Sequence, residues 1–94
     1  MRIAQPELAG LKDAYSATIY QGPVSAWQVK LSLASGKLLE VVTQRGYPKT
    51  WRRLEDVLTF ATVYCKAATS ITVDFGEYVL KVELKQAVAE GNGR

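Results

Sequence analysis

From Trp27 to Leu33 the chain alternates strictly. Trp27, Val29, Leu31 and Leu33 are set against Gln28, Lys30 and Ser32, the period of a half-buried strand. A second alternation places Leu39, Val41 and Thr43 against Glu40, Val42 and Gln44. A loop of Ala34, Ser35 and Gly36, with Gly36 left-handed, closes these two strands into a hairpin. That register pairs Leu31 with Leu39 and Val29 with Val41 on one face. Gly46 ends or bends the second strand, and Pro48 has no ladder donor. Any strand across 47–51 is therefore expected to be short and to lie at an edge.

At Leu54 the period changes. Leu54, Val57, Leu58, Ala61, Cys65 and Ala68 recur at three- and four-residue spacings, the apolar stripe of one helix, with Phe60 and Tyr64 on its flanks. Thr50 is a candidate cap, and Glu55 and Asp56 fall in the first turn, where the helix dipole favours acids. Alternation returns at Ile71, Val73 and Phe75, turns at Gly76-Glu77, and resumes at Tyr78, Leu80 and Val82. A two-residue type II′ loop pairs Phe75 with Tyr78, Val73 with Leu80 and Ile71 with Val82, all on one face.

Residues 1–23 carry two patterns at once. Leu8, Leu11 and Tyr15 suit a short helix after Pro6, whereas Tyr15, Ala17 and Ile19 suit a strand. The expectation is an N-terminal arm over 1–23, a single α+β domain over 24–84, and a frayed tail over 85–94. In that domain one amphipathic helix packs on an antiparallel sheet of two hairpins plus a short edge strand, in the order β-β-β-α-β-β.

Composition removes most chemistry. The chain has 94 residues, one cysteine and no histidine. Cysteine-rich zinc sites, Ser-His and Cys-His nucleophile pairs and histidine bases are therefore excluded. Cys65 lies in the apolar stripe and reads as a buried structural thiol. Glu55 and Asp56 are adjacent on a helix and point in different directions. Ser35-Gly36-Lys37 is a hairpin loop, too short in glycines for a phosphate loop. No enzyme activity, cofactor or metal is expected, and no small-molecule substrate is evident. No window approaches the ~18 apolar residues of a membrane span, and the first residues lack a signal-peptide core, so a cytoplasmic protein is expected. A domain this short has a stability of only about 5 kcal/mol, which a homodimer would enlarge.

Charge is informative in its distribution. The net charge is +3, yet residues 45–53 alone contribute +4 through Arg45, Lys49, Arg52 and Arg53. Tyr47 and Trp51 interleave with these cations. Arg52 and Arg53 stand at the end of the helix where its dipole disfavours cations, so they answer another demand. The six residues Arg45, Tyr47, Lys49, Trp51, Arg52 and Arg53 are the candidate contact surface, for DNA or for an acidic protein surface. Cations neutralise phosphates and aromatic faces stack on unpaired bases. The rival readings are a solvated, lysine-guarded sheet edge and, for Trp51, a lid on Leu54 or Val57. Five tyrosines favour an interface of some kind, and the strand Tyr78–Leu84 is a candidate for pairing across a dimer axis.

The segment from Trp27 to Phe75 resembles small plasmid-encoded ParC-type partition-associated proteins. The matching residues are Thr43, Arg45 and Gly46 at the end of a hairpin, Lys49 and Trp51 in a basic-aromatic step, Leu54 and Glu55 opening a helix, and Ile71, Val73 and Asp74 in a closing strand. Arg53 departs from the pattern, standing where a small capping residue is expected. The resemblance implies a non-enzymatic accessory protein of a plasmid or other mobile element that binds DNA or the partition machinery. The alternative is a phage- or plasmid-borne inhibitor that docks on a host defence or nucleic-acid-processing enzyme.

Overall fold

Both hairpins form in the register that their turns dictate. In the computed structural model, which describes residues 1–23 and 25–83, β3 (Trp27–Leu33) and β4 (Leu38–Val42) pair Leu31 with Leu39. Gly36 takes φ +98°, and its N–H donates to the Leu33 carbonyl at 2.9 Å. In the second hairpin, β5 (Ile71–Asp74) and β6 (Val79–Val82) pair Ile71 with Val82 and Val73 with Leu80. Gly76 is left-handed at φ +95°, and its N–H is held by the Asp74 side chain at 2.8 Å.

The N-terminal residues are built into the sheet. β1 (Arg2–Ala4) leads into a 3-10 helix, Gln5–Gly10, and β2 spans Tyr15–Gln21. The short helix and the strand thus both occur, in succession. The sheet has six strands in the order β1-β4-β3-β2-β5-β6. The fold is α+β, but the sheet is mixed rather than wholly antiparallel, because β2 inserts between the two hairpins. It pairs antiparallel with β3 and parallel with β5, and β1 runs parallel to β4. The segment expected as an arm over 1–23 therefore supplies a central strand. The expected tail, 85–94, lies outside the described residues.

One helix, α1 (Leu54–Tyr64), carries the chain from β4 to β5. Those two strands run in the same direction with β3 and β2 between them. A helix about 10 Å across spans two strands about 4.8 Å apart, so α1 lies over β3 and β2. Where they meet, Ala17, Ile19, Val29 and Leu31 of the strands and Val57, Ala61 and Cys65 of the helix and its C-cap are fully buried. The helix is shorter than its stripe: Ala68 falls beyond it yet still packs on the core. Its cap is Arg53, which makes no side-chain cap bond, and not Thr50. The opposite face of the sheet is polar. One row crosses all six strands as Arg2, Glu40, Lys30, Thr18, Thr72 and Lys81.

Cys65 and Tyr15 meet in the core. Burial pushes the thiol up to about 11. Burial, reinforced by the neighbouring Cys65, pushes the phenol up to about 12. Cys65 is therefore a neutral packing group at physiological pH and a poor nucleophile. Both folded-state values lie above the unfolded ones, 9.0 for the thiol and 10.0 for the phenol. The stability they contribute is complete below pH 9 and is lost as the pH rises toward their folded values. Urea unfolding at pH 9 and pH 11 is expected to differ by on the order of 2 kcal/mol from the thiol, and Cys65→Ala should flatten that slope.

Candidate functional site

The basic segment begins as a tight turn. The Thr43 N–H donates to the Tyr47 carbonyl at 2.7 Å, and the Gly46 N–H donates to the Thr43 carbonyl at 2.9 Å. Gly46 sits at φ +92°, a conformation that a side chain would strain. This geometry puts Arg45 at the exposed tip, with Tyr47 beside it and 67% exposed.

The chain then returns into the sheet. Pro48 bridges Val42, and the Lys49 N–H donates to the Val41 carbonyl at 3.1 Å. Trp51 exchanges both backbone bonds with Trp27, at 2.8 and 3.0 Å. The expected edge strand is thus only two isolated bridges, since Pro48 cannot extend a ladder. It also lies at no outer edge: residues 48–51 fill the fork where β3 and β4 diverge. The Trp27 pairing holds Trp51 extended, which delays the helix to Leu54 and displaces the cap from Thr50 to Arg53.

The six candidate residues divide accordingly. Trp51 is half-buried, with its ring 4.7 Å from that of Phe60, which continues to Tyr64 at 5.1 Å. The Lys49 ammonium lies 5.5 Å from the Trp51 ring centre. Trp51 is therefore a packing group, held at the edge of the core by Phe60. Trp51→Ala is expected to cost about 2–3 kcal/mol in urea unfolding, below the range for a wholly buried tryptophan. Tyr47 is the aromatic left open for stacking. Arg45, Arg52 and Arg53 are exposed, and Arg53 pairs with Glu55 at 2.7 Å, both partners solvated. A pair that exposed contributes little to stability.

Sequence reasoning missed Arg2. Its guanidinium lies against the turn, with Nη1 3.5 Å from where a side chain at Gly46 would begin. No local pattern points to it. Only the parallel pairing of β1 with β4, which sets Arg2 opposite Glu40, brings it there. Among the described residues, only Arg53 of the five cations here forms an ion pair. Beside the turn opens a cleft of about 330 Å³, lined by Gln5, Pro6, Val42, Thr43, Gln44 and Lys49. Lys49 supplies its charge, and the glutamines and threonine supply neutral donors.

Among the described residues, no three of Cys, Asp and Glu come together as metal ligands, and no helix is long and apolar enough to cross a membrane. No family model, curated protein or solved structure matches the chain.

Proposed function

We propose that this chain is a non-enzymatic accessory protein that binds the phosphates of a nucleic acid through the turn and return segment 45–53, extended by Arg2. The observation that carries the reading is the position of that segment. Lysines and arginines on an outer strand are explained by protection against edge pairing, but residues 48–51 lie inside the sheet, between β3 and β4. Edge protection therefore leaves Arg45, Lys49 and Arg52 unexplained, and Arg2 joins them from a strand remote in sequence. A polyanion accounts for all four, because cations spread over an exposed turn gain most from phosphates whose counterions they release. Tyr47 adds a face for one unpaired base. The local resemblance over Trp27–Phe75 supports plasmid partition as the setting, with DNA as the polyanion.

An NMR titration of the labelled protein with a short single-stranded oligonucleotide tests this. The expected result is that amide shifts move at 43–53 and at Arg2–Ala4, and not across the polar face of β2 and β5. Shifts spread over that face, or none anywhere, would overturn the assignment.

A second reading, docking on a host protein, is favoured by a different feature. An apolar cleft of about 440 Å³ runs between the 3-10 helix and the end of α1, walled by Leu8, Leu11, Val63 and Tyr64 with Lys66 at its rim. An inhibitor would seat a partner's apolar side chains there. The same titration separates the two readings, because oligonucleotide binding leaves Leu11, Val63 and Tyr64 of this cleft unperturbed.

A further inference from the structure

β6 is the outermost strand on its side of the sheet, and its first half is uncovered on both faces, whereas Val82 packs against the core. Tyr78 is 58% exposed, Val79 60% and Leu80 54%. Leu80, paired with Val73, faces the helix side of the sheet, but α1 packs over β3 and β2 and does not reach it. Val79 and Lys81 face the polar side. The Phe75 N–H donates to the Tyr78 carbonyl at 2.9 Å, so the backbone groups of Val79 and Lys81 point away from β5. Among the described residues nothing pairs with them. An apolar edge with free backbone groups is a template for another strand.

We propose that the occupant is a second copy of this chain, with the two β6 strands antiparallel about a two-fold axis through Val79. Charge selects the register. An axis through Lys81 sets two lysines face to face, and one through Leu80 sets Glu77 against the partner's Glu83. With the axis through Val79, Tyr78 faces the partner's Leu80, and Glu77, the loop residue that precedes it, comes alongside the partner's Lys81, each pair occurring twice. Opposite charges and apolar pairs directly across a ladder stabilise it, whereas like charges oppose it. Val79 pairs with its own copy and exchanges both outward backbone bonds. The interface is isologous and closed, so it ends at a dimer instead of growing a fibre. It uses no residue of the basic turn and stands independently of the ligand.

Sedimentation equilibrium on the full chain tests the pairing through a charge swap. The wild type is expected to dimerise. Glu77→Lys and Lys81→Glu should each weaken the dimer about tenfold, and the double variant should recover most of that loss. Near-UV circular dichroism checks that each variant folds, which the exposure of both residues favours. A wild type that stays monomeric at every concentration overturns the proposal. So does a double variant no better than the singles, or a dimer seen only after residues 84–94 are deleted, which would make that segment the occupant.

Discussion

Ile19→Ala is expected to remove about 4 kcal/mol of stability, leaving little of the roughly 5 kcal/mol that a domain of this size has. Ile19 is fully buried in β2, between Val29 of β3 and Val73 of β5, beneath α1. Truncating it opens a cavity where two hairpins and the helix meet, and rigid strands on either side limit collapse. Thr18 occupies the same strand with its side chain on the polar face, so Thr18→Ala should cost about 0.5 kcal/mol or less. Urea unfolding of the two variants separates a central strand from a loosely packed arm. An Ile19→Ala midpoint close to that of wild type would mean that residues 15–21 do not lie at the centre of the sheet.

The second large effect concerns the basic turn. Arg45→Ala/Arg52→Ala is expected to weaken oligonucleotide binding by ten- to a hundredfold at low salt, on the order of 1.4–2.7 kcal/mol. It should also lower the salt slope by about one per arginine removed. Both side chains are exposed and unpaired among the described residues, so the variant should fold as wild type does. Arg53→Ala should do less, because Glu55 already neutralises that guanidinium. Arg2→Ala, a change remote in sequence, should resemble the loss of Arg45 or Arg52.

These expectations also mark what the sequence discloses. The hairpins are legible because the alternation and the turn glycines act over a few residues and agree: Gly36 sets Leu31 against Leu39, and Gly76 sets Val73 against Leu80. The helix is legible from its stripe, though its ends are not, since the pairing of Trp51 with Trp27 decides where it begins. The place of β2 is hidden for a physical reason. Its neighbour β5 is some fifty residues away, parallel pairing has no turn to announce it, and Tyr15-Ala17-Ile19 alternates alike in an arm or a central strand. The site follows the same rule. Arg45, Lys49 and Arg52 are visible as a run, Trp51 turns out to pack, and Arg2 arrives through a pairing that no short window contains.

We propose above that residues 45–53 with Arg2 form a phosphate-binding surface. Fluorescence anisotropy of a labelled single-stranded oligonucleotide tests it most directly, titrated at two salt concentrations with wild type and with Arg45→Ala/Arg52→Ala. The predicted result is micromolar binding by the wild type that weakens with salt, and a variant both weaker and less salt-sensitive. A wild type that fails to bind at low salt, or a variant that binds as tightly as wild type, would contradict it.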